Sequence, residues 1–286
     1  MFGFLNIYKP NGLTSHDVVA RLRRVTKVKQ IGHTGTLDPF AEGVLPICVG
    51  KATRLIEFLA DDKAYFATVQ LGVATSTYDI EGETTFTSDK KVSSSDVENT
   101  LKYFEGEIEQ LPPIYSAIKV NGKKLYDYAR QGQTVEIKPR KVVIEKIELK
   151  NFDPITQTAE IYVKCSKGTY IRSIAHELGQ KLGVGGHLIK LIRTQAGRFL
   201  LENAIPLEKV QNEFSSDMLI NPIDMIDLPK VEVTEQDLEK IKHGQFLKND
   251  KFNTGQFVIL IYNKDVICAV GCADSDKILI KKVFIS

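Results

Sequence analysis

One loop-forming stretch carries a residue that could act as a nucleophile. Residues 32–45 contain three glycines and a proline and follow neither the period of a helix nor that of a strand. Within them Asp38 directly precedes Pro39, an arrangement that disfavours helical dihedrals for the acid. An aspartate presented from a shaped loop is ionised at neutral pH and can attack an electrophilic carbon. The alternative is an ordinary turn in which the Asp38 side chain bonds its own backbone.

Basic side chains are concentrated in two stretches that would suit a polyanion. Residues 18–29 hold five basic residues and no acid, and residues 112–141 hold seven basic residues against two acids. The second stretch therefore carries +5, whereas the whole chain carries +2. Because lysine and arginine neutralise phosphates while aromatic rings stack on bases, this stretch could grip structured RNA. A solvated surface hairpin is the alternative. The candidate RNA-binding residues here are Lys119, Lys123, Lys124, Tyr126 and Arg130.

The composition is that of an ordinary globular protein with one large domain and a small one. Of 286 residues, 43% are hydrophobic and 26% are charged, and no apolar run approaches the roughly 18 residues of a membrane span. The N-terminus has no basic region typical of a signal peptide. The four cysteines suit neither a zinc site nor a disulfide framework, so we expect a reducing cytoplasm. We expect no metal and no cofactor, because zinc-protease, Walker and dinucleotide motifs are missing from the sequence.

The elements that must position Asp38 can be predicted from periodicity. Residues 4–8 form a strand, and Thr14 or Ser15 caps a following helix with apolar positions on one face. A short amphipathic helix is expected over residues 52–60. Residues 63–71 then alternate as a strand, with Tyr65 on its apolar face.

Further elements follow the same reasoning. A capping box at residues 95–98 predicts a helix to about residue 104 with Val97, Leu101 and Phe104 buried. Strands are expected at residues 141–151 and 159–165, and a helix at about 170–182. Arg172 lies in the first turn of that helix, where the helix dipole disfavours a cation. We therefore expect Arg172 to have another partner.

The predicted secondary structure changes around residue 228 and is mostly β-strand beyond it. A short helix at residues 235–242 precedes strands at 257–262, 266–270 and 278–284, with a hairpin turn at 263–265 between the first two. We therefore divide the chain into a catalytic domain, residues 1–228, and a small β-rich domain, residues 229–286. The fold class is α+β.

The run Gly32–Pro39, followed by Gly43-Val44-Leu45, resembles the catalytic signature of the TruB family of tRNA pseudouridine synthases. The resemblance implies the pseudouridine synthase fold, a mixed, largely antiparallel sheet flanked by helices. It also implies that residues 112–141 are a thumb-like insertion and that residues 229–286 are a PUA-like domain. In this family the aspartate is the nucleophile, which assigns that role to Asp38.

Other motifs extend the resemblance. Residues 63–65 resemble the family motif whose tyrosine stacks on the target base, and this resemblance assigns that role to Tyr65. Residues 168–172 resemble the family motif whose arginine pairs with the catalytic aspartate, and this resemblance assigns that role to Arg172. The motif from Lys9 to Asp17 is implied to help hold the catalytic loop, and residues 77–82 resemble the family's Thr-x-Asp-x-x-Gly pattern. Lys9, His33, Lys63 and Arg193 join the candidate RNA-binding residues. For Arg193, contact with RNA and pairing with a surface acid both stay open.

The activity implied is isomerisation of uridine 55 in the T-loop of tRNA to pseudouridine, on a flipped-out base and without a cofactor. The implied partner is the T-arm of tRNA, bound by a cytoplasmic monomer with no obligate protein partner. The order of events stays open: Asp38 attacks C1′ of the ribose, adds to C6 of the uracil, or permits a glycal with Tyr65 as base. Three alternatives are a glycosidase using Glu42 as the second acid, an RNA-binding or tRNA-folding chaperone, and a pseudouridine synthase for another structured RNA.

Overall fold

The computed structural model describes residues 1–116, 118–120, 122–133 and 135–285, and it describes Arg130 by its backbone alone. The sequence predictions that involve the Arg130 side chain therefore lie outside the described part. Among the described residues, no helix has both the length and the apolar character needed to cross a membrane.

The strands and helices follow one another in mixed order along the chain. The strands are β1 Gly3–Lys9, β2 Ile31–His33, β3 Glu42–Val49, β4 Lys63–Leu71, β5 Val73–Thr75, β6 Thr84–Thr87, β7 Gly106–Gln110, β8 Lys119–Val120, β9 Lys123–Lys124, β10 Arg140–Asp153, β11 Thr158–Cys165, β12 Gly186–Ala196, β13 Phe199–Leu200, β14 Ile205–Pro206, β15 Lys230–Glu232, β16 Leu247–Lys248, β17 Phe257–Tyr262, β18 Val266–Asp274 and β19 Lys277–Val283. The α-helices are α1 Ser15–Thr26, α2 Ser94–Leu101, α3 Leu125–Arg130, α4 Ile171–Leu182, α5 Leu207–Glu213, α6 Pro222–Met225 and α7 Glu235–Lys242.

A large mixed sheet forms the body of the protein. Its strand order is β14-β1-β3-β12-β4-β11-β10-β7, with β2 paired to β3 and β13 paired to β12. The β1–β14 and β3–β12 pairs are parallel and the other pairs are antiparallel. The predicted α+β class and the mixed, largely antiparallel sheet are confirmed.

Alternation along the strands gives the sheet two apolar faces. On β3, Leu45 and Ile47 point into the main core, where α1, α2 and α4 pack, whereas Val44 and Cys48 belong to a second buried cluster. The period of two in a strand explains this division, since neighbouring side chains leave opposite faces. The helices therefore cover one face, and part of the other face is covered by the C-terminal residues.

Most predicted elements around the site are found. The short amphipathic helix expected at residues 52–60 is a 3₁₀-helix over residues 50–58. The capping box of α2 uses Ser93 and Asp96 rather than Ser95 and Glu98, because the Ser93 hydroxyl accepts from the Asp96 backbone N–H. Val97, Leu101 and Phe104 are buried as predicted.

The C-terminal residues form a separate five-stranded sheet, in the order β15-β17-β18-β19-β16. Ile259, Ile261 and Val270 of this sheet share one buried cluster with Phe4 and Val44 of the large sheet. Lys51 and Arg54, from the 3₁₀-helix, donate to the carbonyls of Phe284 and Val283 at 2.9 Å each. The small unit is thus bound to the large sheet by both apolar and polar contacts.

Candidate active site

The Asp38 loop is held by the turn that follows β1. The Gly12 N–H donates to the Pro39 carbonyl at 2.9 Å. The buried Ser15 hydroxyl accepts from the Leu37 N–H at 2.9 Å and lies 3.2 Å from the Leu37 carbonyl. These bonds fix the backbone immediately before and after Asp38. Helix α1 is itself fixed by the predicted cap, a capping box between Thr14 and Asp17.

Lys9 takes part in the same support and does not face solvent. Its side chain is 0% exposed, and its ammonium donates to the carbonyls of Pro10 (2.9 Å), Leu13 (2.6 Å) and Pro39 (3.1 Å). An ammonium has three donors, so none remains for a phosphate. Burial lowers the pKa of Lys9 to about 8. The interpretation of Lys9 as an RNA-contacting residue is wrong, and its place is beneath the loop.

The carboxylate of Asp38 pairs with the guanidinium of Arg172. Arg172 Nε lies 2.9 Å from Asp38 Oδ2, and Arg172 Nη2 donates to Asp38 Oδ1 at 3.2 Å. The carboxylate therefore faces the guanidinium of α4 rather than bonding its own backbone. Burial raises the pKa of Asp38, and the charges of Arg172 and Lys9 oppose that rise. The Arg172 side chain is 6% exposed, whereas that of Asp38 is 33% exposed, so Asp38 is open on one side.

The far side of the Arg172 guanidinium is also fully engaged. Nη1 lies 3.2 Å from both Asp79 Oδ2 and the Thr77 carbonyl, and Nη2 donates to the Tyr115 carbonyl at 2.9 Å. Neither Asp79 nor Tyr115 was expected to contact Arg172. The Thr-x-Asp-x-x-Gly pattern was the available signal for Asp79. A Cβ on its glycine, Gly82, would lie 2.4 Å from Thr77 Oγ1, so the turn requires glycine.

Tyr65 lies on β4, close enough to Arg193 for the guanidinium charge to act on the pKa of the phenol. Burial raises the pKa of Tyr65 to about 12, so the phenol is protonated at neutral pH. Arg193 is 1% exposed, and its guanidinium donates to the carbonyls of Val44 at 2.7 Å and Gly35 at 3.1 Å. Arg193 therefore supports the backbone around Asp38 and does not pair with a surface acid. It also lines the cavity over Asp38 described next, so its contact with RNA stays a prediction.

A cavity of about 570 Å³ opens over Asp38, a size typical of a site for a small ligand. Among the described residues that line it, Asp38 is the one carboxylate. Tyr65, Arg172, Lys63 and Lys167 also line it. Lys63 Nζ donates to the Asp61 carbonyl at 3.0 Å. Polar and aromatic groups thus surround the Asp38 carboxylate within a single concave site.

His33 does not line this cavity, although the next residue, Thr34, does. Its ring meets that of His16 edge to face, with centroids 5.6 Å apart. Burial lowers the pKa of His33, with the His16 and Arg193 charges acting in the same direction. The interpretation of His33 as an RNA-binding residue stays a prediction.

The segment 112–141, predicted to be a thumb-like insertion, comes closer to Asp38 than the sequence indicated. Tyr115, Ser116 and Tyr126 line the cavity over Asp38, so the segment supplies part of its wall. Lys119 is exposed, whereas Lys123 Nζ donates to the side-chain carbonyls of two glutamines, Gln131 and Gln133. Lys124 Nζ donates to the Tyr126 hydroxyl at 3.1 Å. Contact of Lys119, Lys123, Lys124 and Tyr126 with RNA stays a prediction.

The sheet and helices around the Asp38–Arg172 pair have the pseudouridine synthase fold, as comparison with solved structures shows. The chain aligns over its whole length with a solved chain from an H/ACA ribonucleoprotein bound to a substrate RNA containing 2′-deoxyuridine, at a TM-score of 0.71 and 27% identity, covering 86% of that chain. It also aligns over 99% of its length with a chain of a Cbf5-Nop10-Gar1 complex, at a TM-score of 0.72 and 28% identity, covering 85% of that chain.

Two family profiles match consecutive parts of the chain. The TruB family pseudouridylate synthase N-terminal domain matches residues 23–171, and the tRNA pseudouridylate synthase B C-terminal domain matches residues 172–226. The tRNA pseudouridine synthase B of Heliobacterium modesticaldum is 46% identical, covering 95% of this chain and 90% of the relative. That of Caldanaerobacter subterraneus is 41% identical and covers 99% of both. The chain therefore belongs to the TruB family of tRNA pseudouridine synthases, which are isomerases.

Proposed function

We propose that this enzyme converts uridine 55 in the T-loop of tRNA to pseudouridine with Asp38 as the nucleophile. The single observation that carries the assignment of Asp38 is its position as the one carboxylate among the described residues lining the cavity, held there by Arg172. The buried Arg172 side chain keeps the carboxylate pointed toward the cavity. Family membership and the relatives' activity support the choice of substrate.

The reaction requires the base to leave the folded T-arm. A uridine inside structured RNA is flipped out at a cost of a few kcal/mol, and a preformed cavity over Asp38 offsets part of that cost. The C1′–N1 bond then breaks and a C1′–C5 bond forms. The C5 proton leaves and N1 gains a proton, so atoms and charge balance without an oxidant or a second substrate.

Tyr65 is better suited to stacking than to proton transfer in this proposal. Burial raises its pKa to about 12, so a deprotonated phenol is costly at neutral pH. Its ring lines the cavity beside Asp38, where a flipped uracil would lie. This favours the two routes in which Asp38 acts directly, attack at C1′ or addition to C6, over the route in which Tyr65 is the base.

The structure gives little support to the glycosidase alternative. Glu42 would have to share the cavity with Asp38 as the second acid. Glu42 is absent from the described residues lining the cavity, and its carboxylate instead accepts from the Tyr8 hydroxyl at 2.6 Å.

Action on the T-arm of tRNA as a cytoplasmic monomer completes the proposal. The four cysteines are free thiols, which suits a reducing compartment.

Replacement of the nucleophile tests the role of Asp38. We expect Asp38→Asn to abolish turnover while tRNA affinity stays within several-fold, because the amide keeps the shape and loses the reactive charge. Burial raises the pKa of Asp38, so the folded state favours the neutral form and the ionised form costs stability at neutral pH. The melting temperature of the variant should therefore not fall. Turnover above a few per cent of wild type, once deamidation is excluded, would remove Asp38 from this role.

A further inference from the structure

We propose that Tyr78 and His176 form a stacked pair that positions Arg172 against Asp38. The two rings lie nearly parallel, 13° apart, with centroids separated by 3.8 Å. Tyr78 belongs to the loop between β5 and β6, and His176 belongs to α4. The stack thus joins the loop that carries Asp79 to the helix that carries Arg172. This inference rests on the proposed roles of Asp38 and Arg172.

The contacts of Arg172 lie on both sides of Tyr78 in the chain. The residue before it, Thr77, offers its carbonyl to Arg172 Nη1 at 3.2 Å, and the residue after it, Asp79, places Oδ2 at the same distance. His176 follows Arg172 by four residues on α4, so the two side chains project from the same face of the helix. A shift of the Tyr78 ring would therefore move both acceptors relative to the guanidinium.

The backbone of Tyr78 adopts a conformation that a bulky residue seldom takes. Its φ is 65°, in the left-handed region that favours glycine. The conformation is fixed by the Leu188 N–H, which donates to the Tyr78 carbonyl at 3.0 Å, and by a β-bridge between Asp79 and Leu188. A tyrosine at this position costs backbone energy that glycine would avoid. The ring must therefore contribute a contact that glycine cannot supply, and the stack on His176 is that contact.

The stack acts through packing rather than through hydrogen bonds or charge. His176 Nδ1 is buried and has no hydrogen-bond partner among the described residues. Burial lowers the pKa of His176 and raises the pKa of Tyr78, so both rings are neutral at neutral pH. Neither side chain lines the cavity over Asp38. Tyr78 and His176 are accordingly positioning residues that reach the reaction through Asp79 and Arg172.

The test removes each aromatic ring while it keeps the backbone conformation of residue 78 accessible. Tyr78→Gly removes the ring and keeps the left-handed φ accessible, and His176→Ala removes the other ring. We expect each to lower the single-turnover rate at saturating enzyme about tenfold, because small misplacements of catalytic groups are costly. The Kd for tRNA should change by less than about twofold, since neither ring lines the site. Tyr78→Phe and His176→Phe keep the stack and should keep the rate.

Two controls complete the design. The double variant should lose no more than either single variant, because both remove the same contact. Phe66 and Tyr162, with centroids 5.4 Å apart, form an aromatic pair elsewhere on the sheet, and Phe66→Ala should leave the rate unchanged. A wild-type rate for Tyr78→Gly, additive losses in the double variant, or a lowered melting temperature with an unchanged rate would each overturn the proposal.

A spectroscopic readout keeps this test independent of the proposed function. Because Arg172 lowers the pKa of Asp38, loss of the stack should raise the pKa of the Asp38 carboxyl followed by ¹³C NMR. Absence of pseudouridine formation by wild type would contradict the proposed function alone. An unchanged Asp38 titration in Tyr78→Gly and His176→Ala would contradict the positioning role alone.

Discussion

The pKa of Asp38 is set by influences that oppose one another. Burial raises its pKa, while the Arg172 and Lys9 charges lower it, and the nearby Asp79 charge raises it again. Arg172 meets Asp38 through two nitrogens and uses its remaining contacts on Asp79, Thr77 and Tyr115. The same guanidinium therefore holds the carboxylate in place and joins three separate segments of the chain around it.

Replacement of Arg172 tests this pairing. Lysine keeps the charge but cannot reproduce the planar fork, so we expect Arg172→Lys to lower the single-turnover rate strongly. Near-wild-type kinetics for this variant would remove Arg172 from the site.

The pH dependence gives a second view of the same pair. A protonated Asp38 cannot attack, so the rate should fall as the pH drops through its pKa. Because burial raises that pKa, the fall should begin at a higher pH than for an exposed aspartate, whose pKa is about 3.9. Arg172→Gln removes the charge that lowers the pKa and should move the fall to still higher pH. A rate profile that does not move in Arg172→Gln would contradict this account.

At the scale of elements, the loop that carries Asp38 is held by two buried cations, and the cavity over Asp38 is partly walled by the segment 112–141. Lys9 and Arg193 hold its backbone through carbonyl groups, and the insertion supplies Tyr115 and Tyr126 to the cavity wall. The backbone at Gly43, where the loop ends and β3 begins, is closely packed against the Arg193 backbone. Its φ is 100°, and a Cβ there would lie 2.3 Å from the Arg193 carbonyl oxygen. The backbone that follows Asp38 is therefore closely packed against β12.

The basic residues of the insertion should provide salt-dependent affinity for RNA. Neutralising Lys119, Lys123 and Lys124 to glutamine together should weaken tRNA binding and reduce the salt slope of log Kd by about two, at about 0.7 per phosphate contact. The saturated rate should change little. The matched control neutralises Lys146, Lys150 and Lys164, which are paired with glutamates on β10. Equal slopes for the two triple variants would show that the insertion lysines contact no phosphate.

The sequence indicated local features well and buried cations poorly. Strand β4 and helix α7 lie at the predicted residues, because each carries a clear period or cap. The Asp38–Arg172 pair was implied by the two motifs together. Lys9 is expected at the RNA surface, and Arg193 either there or beside a surface acid, because a lysine or arginine in a sequence reveals nothing of the backbone carbonyls that will surround it. The role of Tyr115 arises from its carbonyl, which leaves no trace in residue type.

At the scale of the whole molecule, the C-terminal sheet covers part of one face of the large sheet. Phe4 on β1 and Val44 on β3 share one buried cluster with Ile259 and Ile261 of the small unit. Their neighbours Leu5 and Leu45 face the main core. The two units therefore share apolar surface on β1 and β3, and β3 begins directly after the loop that carries Asp38.

Cavity formation in the shared cluster tests this coupling. Ile261→Ala should lower the free energy of unfolding by about 2–5 kcal/mol, the usual cost of such a buried truncation. Because the cluster includes both units, we expect a single unfolding transition to shift as a whole in a urea titration. Val266→Ala, at a side chain that is 45% exposed, serves as the control and should change stability little. Two separate transitions, with only one moved by Ile261→Ala, would show that the units unfold independently.

The most direct test of the central claim is tritium release from a tRNA transcript labelled at C5 of uridine. With purified enzyme and no added cofactor, release should approach one tritium per tRNA, because one C5–H bond breaks for each pseudouridine formed. A transcript with cytidine at position 55 should release none, and Asp38→Asn should release none from the normal transcript. Release that persists without uridine 55 would contradict the assigned position, and no release from the normal transcript would contradict the proposed function.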